Sequence, residues 1–198
     1  MKQFNAKYWD EQYVNHKTAW DIGYASPPIV DYFNQIVDKE LRILVPGAGN
    51  AWEVEYLWKH GFPNVYLLDY SQEAIKEFQE RVPDFPHTHI IIEDFFQHQG
   101  TYDFIVEQTF FSSLLPSQRK DYATKIWDLL KLKGKLIGLL FNHHFSFDAP
   151  PFGGTIEEYE ELFQFGFVFN KMEIAFNSIK PRKNRELFIL LEKKRLAD

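Results

Sequence analysis

The sequence predicts an α/β protein built on a mostly parallel sheet, and three observations carry that reading. Short apolar runs alternate with helix-period segments along the 198 residues, the pattern of βαβ units. One such run, Leu41-Arg42-Ile43-Leu44-Val45, ends in the turn Pro46-Gly47-Ala48-Gly49-Asn50. The strands that follow then end one after another in acids: Asp69, Glu93-Asp94 and Glu107.

The elements follow in order. Residues 5–15 read as a short helix with Tyr8, Trp9, Gln12 and Tyr13 near one face. Residues 17–25 have turn chemistry. Pro27-Pro28 opens a helix to about Val37, because proline at a first-turn position lacks only an N–H that has no helical partner anyway. A strand over 42–45 precedes a helix over 51–60 that stops at Gly61. The strand 65–68 leads to Ser71, a candidate N-cap for a helix over 72–82. Pro83 and Pro86 break the chain before a strand over 89–92. A strand over 102–106 runs into Glu107-Gln108. A helix over 118–130 follows, with Tyr122, Ile126, Leu129 and Leu130 on its apolar side. Gly134 closes a turn before a strand over 135–141. Residues 142–154 are irregular, 155–163 helical, and 167–176 and 186–192 are the last strands. No internal repeat or boundary divides the chain.

Composition narrows the function. The net charge of −6 disfavours a nucleic-acid partner, which requires clustered Lys and Arg. The cluster Lys180, Arg182, Lys183 and Arg185 reads as a solvated turn. There is no cysteine, so disulfides, thiolate metal sites and a Cys nucleophile are excluded. No signal-peptide pattern opens the sequence and no apolar run approaches a membrane span, which predicts a cytoplasmic protein. A monomer is expected, with no membrane partner.

In open α/β sheets the ligand lies beyond the carboxyl ends of the strands. Here those ends carry glycines and then acids, a pattern suited to a nucleoside. Glycine permits close backbone approach, and a carboxylate at the next strand tip accepts from ribose hydroxyls. A dinucleotide site continues to a third glycine, but that position is Trp52, too bulky for close pyrophosphate packing. S-adenosylmethionine (SAM), with no diphosphate, fits better. Asp69 suits the ribose, Asp94 the adenine amino group with Phe95 on the ring, and Glu107 the neighbourhood of the sulfonium or ammonium. Most have a plainer alternative, a tight turn for the glycines, an N-cap for Asp69 and a turn residue for Asp94, whereas Glu107 follows a buried-type strand and is harder to explain as structure. His143, His144 and Asp148 invite a metal reading, but adjacent strand histidines point to opposite faces, so no metal is expected. One of these histidines is instead a candidate for touching the acceptor or serving as general base.

The most specific segments are Tyr8-Trp9-Asp10, Thr18-Ala19-Trp20-Asp21-Ile22-Gly23 with Pro27 beyond, Leu44-Val45-Pro46-Gly47-Ala48-Gly49 and Leu68-Asp69-Tyr70-Ser71. Glu93-Asp94-Phe95-Phe96, Tyr102-Asp103-Phe104-Ile105 and Ala149-Pro150-Pro151-Phe152 continue the series. Over almost its whole length the chain resembles the thiopurine S-methyltransferase-like family of SAM-dependent methyltransferases, and in particular its plant-type halide/thiol branch. The resemblance implies a seven-stranded Rossmann-like methyltransferase fold with an antiparallel last strand and an N-terminal helical lid. It implies one domain over residues 1–198, with 1–37 as lid and helix and 41–198 as α/β core. By position, Trp9, Tyr13 and Trp20 match cofactor-contacting lid aromatics. Gly47, Ala48 and Gly49 match the glycine loop, and Asp69 and Tyr70 the ribose side. Glu93, Asp94 and Phe95 match the adenine side, and Glu107 and Gln108 the strand-tip contacts near the methyl group. Trp20, Gln108, Phe111, His143 and Phe152 are the expected acceptor contacts.

The implied activity is methyl transfer from SAM to a small soft nucleophile (thiol, hydrosulfide, halide or metalloid), leaving S-adenosylhomocysteine. The alternatives are a SAM-binding protein that does not catalyse, and a nicotinamide-dependent oxidoreductase, against which Trp52 argues. The chain departs from the branch at Ala48, at Asn50-Ala51-Trp52, at Gln108 and at Tyr13, and its loop 142–148 has no recognisable counterpart.

Overall fold

Seven strands form one sheet in the computed structural model, which describes residues 4–195. They are β1 (Ile43–Pro46), β2 (Val65–Asp69), β3 (Ile90–Ile92), β4 (Tyr102–Gln108), β5 (Leu130–Phe141), β6 (Phe167–Ile174) and β7 (Glu186–Lys193). The helices are α1 (Ala6–Val14), α2 (Pro27–Phe33), α3 (Trp52–Lys59), α4 (Gln72–Arg81), α5 (Phe110–Ser113), α6 (Arg119–Leu129) and α7 (Ile156–Phe163). Across the sheet the order is β3-β2-β1-β4-β5-β7-β6. The pairs among β1 to β5 are parallel, and β7 is antiparallel to both β5 and β6. The last strand alone therefore runs against the others, as expected.

Strand alternation builds two cores, one on each face of the sheet. Ile43, Val45, Val65, Leu67, Phe104 and Val106 point to the side covered by Ile29 and Phe33 of α2, Val54 and Leu57 of α3, and Ile75 and Phe78 of α4. Leu44, Leu68, Ile105, Leu136 and Leu140 point to the other side, against Tyr122, Ile126 and Leu129 of α6 and Tyr159 and Phe163 of α7. The central strands β1, β2 and β4 are apolar on both faces because helices cover both. Local signals set the helix starts. Ser71 Oγ accepts from Ala74 N at 3.3 Å, as its cap position predicts. Thr155 and Glu158 close a reciprocal capping box on α7.

Three elements differ from expectation. α2 ends at Phe33 instead of near Val37; Asn34 takes the cap position and its Oδ1 accepts from Tyr56 OH at 2.6 Å. β5 begins at Leu130, five residues early. Tyr102 already pairs with Leu130, and the extra residues are absorbed as an irregularity before Phe104 pairs with Lys135. α5 was not expected at all, since four residues show no period. The chain reverses direction across the sheet between β1, which starts the run toward β3, and β4, which starts the run toward β7. The crevice at the carboxyl tips of these strands is where an open α/β sheet holds its ligand.

Candidate active site

A cavity of about 1180 Å³ opens at those tips. Gly47, Leu68, Asp69 and Tyr70 supply its wall from β1 and β2, and Glu93, Asp94, Phe95 and Phe96 from the segment after β3. α1 and the segment after it close over it with Tyr8, Trp9, Tyr13 and Trp20.

The glycine loop owes its shape to two residues with φ near +55°, Gly47 and Gly49. A Cβ on Gly47 would overlap the Phe110 ring, and one on Gly49 would lie 2.5 Å from Tyr13 OH. Asp69, 7 % exposed, holds this loop. One carboxylate oxygen accepts from Gly49 N and the other from Ser71 N, both at 2.8 Å. Burial raises its pKa above the ordinary carboxylate range, and these N–H groups work in the opposite direction. Ser71, not Asp69, caps α4. Asp94 lines the cavity and also accepts from Phe96 N at 2.9 Å, so the turn reading of that residue holds together with its place in the wall. Glu93 is backed by buried His98, whose Nδ1 contacts it and whose Nε2 lies 2.8 Å from Tyr102 OH. A phenol in the core thus finds a polar partner, and a wall carboxylate is fixed from behind.

The N-terminal segment is tied down by three acidic or aromatic contacts. Asp10 Oδ1 accepts from Ser71 Oγ at 2.7 Å, joining α1 to the start of α4. Tyr70 OH donates to Phe4 O at 2.9 Å. Asp21 accepts from Gly23 N and Trp52 Nε1 at 2.7 Å each and from Asn50 Nδ2. Trp52 thus occupies the third-glycine position as an anchor for this segment, with Arg81 stacked 3.8 Å over its ring. Asp21→Ala leaves the indole N–H without its partner, a cost of roughly 1–2 kcal/mol. It is expected to weaken SAM binding several-fold and speed proteolysis of residues 4–25. Unchanged cleavage rates in a folded variant would show that Asp21 does not hold the segment.

Trp9, Tyr13, Trp20, Gly47, Asp69, Tyr70, Glu93, Asp94 and Phe95 all line the cavity. Ala48 and Gly49 do not, although Gly49 meets Asp69 and Tyr13 behind the wall. Four expectations need correction. Glu107 is fully buried; its oxygens accept from Phe111 N at 2.8 Å and Tyr122 OH at 2.6 Å, so it does not face a sulfonium. Burial pushes its pKa up to about 7. Phe111 is buried against Tyr122 and Tyr159, on the core side of α5, and its neighbour Phe110 faces the cavity. Gln108 lies outside the cavity wall, with Oε1 buried and unpaired among the described residues. Lys180–Arg185 is no mere solvated turn: Arg182, 9 % exposed, donates to Trp20 O at 2.6 Å and to Glu186 at 3.2 Å.

His143 and Phe152 sit one step back from the wall. His143 contacts wall residue Arg185, and Phe152 meets wall residue Phe4 edge-on at 6.3 Å. His144 turns instead toward Glu158 at 3.5 Å. Phe141, Phe145, Phe147, Pro150, Arg182 and Arg185 form the far end of the cavity, which sequence reasoning did not assemble. The basic residues ahead of the last strand were its available signal.

A mostly parallel seven-stranded sheet whose last strand is reversed, with glycine and acids around one crevice, defines the chain as a SAM-dependent methyltransferase. It belongs to the thiopurine S-methyltransferase family: the sequence profile described as "Thiopurine S-methyltransferase (TPMT)" matches residues 4–194. The chain is 28% identical over 193 residues to "Probable thiol methyltransferase 2" of Arabidopsis thaliana, covering 94% of this chain and 84% of the relative. It is 28% identical over 186 residues to "Thiocyanate methyltransferase 1" of the same plant, covering 90% and 81%. Among solved structures, 1,6-didemethyltoxoflavin-N1-methyltransferase of Burkholderia thailandensis, bound to S-adenosylhomocysteine, superposes with a TM-score of 0.79 at 15% identity, over 96% of this chain and 87% of that one. A TehB-like SAM-dependent methyltransferase from Corynebacterium glutamicum gives 0.66 at 17% identity, over 96% and 98%. Among the described residues no helix is long and apolar enough to cross a membrane.

Proposed function

We propose that this enzyme methylates a small soft nucleophile, of the thiol, hydrosulfide, halide or metalloid class. The observation that carries the reading is the gathering of Gly47, Asp69, Glu93, Asp94 and the aromatics Trp9, Tyr13 and Trp20 around one cavity. The residues fit the cofactor. Each Asp69 oxygen accepts from one backbone N–H and keeps a second lone pair for a ribose hydroxyl. Glu93 and Asp94 take the adenine side with Phe95, and the lid aromatics exclude water from the reacting end. The cofactor supplies a sulfonium methyl: the acceptor's lone pair forms the new bond to carbon while the carbon–sulfur bond breaks onto sulfur. For an acceptor that arrives as an anion the protein has only to position and desolvate it. The thiol and thiocyanate activities named for the two plant relatives support this acceptor class.

The test is titration calorimetry with SAM, S-adenosylhomocysteine and NAD, followed by assay of S-adenosylhomocysteine formation with thiols, hydrosulfide and iodide. Binding of the first two ligands without NAD, and turnover with at least one acceptor, is the expected result. Stoichiometric SAM binding with no turnover across the panel would favour a non-catalytic SAM-binding protein. NAD binding would favour an oxidoreductase.

A further inference from the structure

Where the sheet and its loops build the cavity wall, it is divided by charge. Its acids, Asp69, Glu93 and Asp94, lie at and after the tips of β2 and β3, on one side of β1. Its arginines, Arg182 and Arg185, lie on the other side of β4, in the turn before β7, and its lysine, Lys17, follows α1. The two arginines differ. Arg182 is committed to Glu186 and to Trp20 O. Arg185 is exposed, and none of the ion pairs among the described residues includes it. Its Nη2 lies 2.6 Å from His143 Nε2. A guanidinium only donates, so that nitrogen accepts and carries no proton. Burial, reinforced by the Arg185 charge, also holds the imidazole below its ordinary pKa. His143 therefore orients Arg185 without neutralising it. Beside the guanidinium, 6.0 Å from it, begins an aromatic wall: Phe145 meets Phe141 at 5.1 Å and Phe147 at 5.3 Å.

We propose that Arg185 and the Phe145–Phe147 wall form an anion subsite, and that the acceptor is bifunctional: a thiol on an apolar body that also carries a separate carboxylate-type group. The proposal rests on the methyltransferase reading above. Two arguments separate the anionic group from the attacking atom. A nucleophile loses its negative charge as it takes the methyl group, so a cation bound to that atom stabilises the reactant more than the transition state. A cation on a spectator carboxylate binds both states alike and fixes the attacking sulfur in line. Arg185 is also exposed, so its charge keeps part of its hydration, whereas the attacking atom must be desolvated. Space agrees: drug-sized ligands occupy cavities of about 300–1,000 Å³, and 1180 Å³ accommodates a second molecule beside the cofactor. A halide or hydrosulfide ion has no use for an aromatic wall with a free cation at its end. In the transfer the thiol proton leaves to solvent, the thiolate sulfur bonds the methyl carbon, the sulfonium carbon–sulfur bond breaks onto sulfur, and the carboxylate is unchanged.

The test uses the full chain with SAM and three acceptors: 4-mercaptobenzoate, 4-methylbenzenethiol and hydrosulfide. Wild type is expected to favour the carboxylated thiol in kcat/KM. Arg185→Gln is expected to lower kcat/KM for 4-mercaptobenzoate relative to 4-methylbenzenethiol about tenfold, the scale of one charge-assisted contact. Calorimetry with SAM verifies that the variant is folded. Arg185→Lys, which keeps the charge, is expected to recover part of the ratio. Turnover of 4-methylbenzenethiol or hydrosulfide with no preference for the carboxylate, or a ratio unmoved in Arg185→Gln, overturns the subsite and leaves the methyltransferase reading intact. No turnover of any of the three overturns that reading, and the subsite with it.

Discussion

Replacing Asp69 by alanine is expected to weaken SAM binding by roughly 1–3 kcal/mol, the range for hydrogen bonds to a charged group. Two losses coincide. The acceptor proposed for the ribose goes, and the N–H groups of Gly49 and Ser71 lose the oxygens that now lie 2.8 Å away. The glycine loop relaxes as a result, because Gly49 stands in a positive-φ conformation that Asp69 helps to fix. Asp69→Asn separates the two contributions. Its single carbonyl oxygen can still serve one N–H, but its amide group presents a donor where an acceptor is needed. The asparagine variant is therefore expected to keep more thermal stability than alanine and still bind SAM weakly. Calorimetry on both variants checks this, and wild-type affinity in a folded Asp69→Ala protein would remove Asp69 from the ribose.

Asp69 also marks what was legible in advance. The fold is written in strand alternation and in the spacing of glycine and acid, both of them local, so the sheet and one end of the cavity could be read directly. The cap at Ser71 and the box of Thr155 with Glu158 are equally local. The remainder depends on contacts between distant segments. Arg182 looks like part of an exposed basic turn until Trp20, 162 residues away, accepts its hydrogen bond. Trp52 reads only as an obstacle to a dinucleotide, because its partner Asp21 lies 31 residues earlier. The far end of the cavity is assembled from the 142–151 loop and the turn before β7, and nothing in either segment points to the other.

Glu107 shows how a correct observation led to the wrong role. An acid directly after a buried strand does need an explanation. The explanation proves to be α5, whose first turn it holds through Phe111 N while Tyr122 OH closes the other oxygen. Burial raises its pKa from an ordinary 4.5 to about 7. The folded protein therefore holds this proton between about pH 4.5 and 7, where the unfolded chain has released it. That contribution to stability is complete below pH 4.5 and is lost as the pH rises through 7, a swing on the order of 3 kcal/mol. Glu107→Gln removes the titration and preserves an acceptor for Phe111 N. Urea unfolding of the two proteins at pH 5 and pH 8 isolates the effect, because their other titrating groups are shared. Part of the swing already lies below pH 5, so the stability difference is expected to move in favour of glutamine by about 2.5 kcal/mol at the higher pH. An equal difference at both values would mean that Glu107 titrates normally. Glu107→Ala instead strands a buried N–H and a buried phenol, and is expected to cost about 3 kcal/mol or more at either pH. It should also impair SAM binding without touching the cavity. α5 carries Phe110, the ring that packs on Gly47 and lines the cavity. The buried acid thus acts on the site through the helix it anchors.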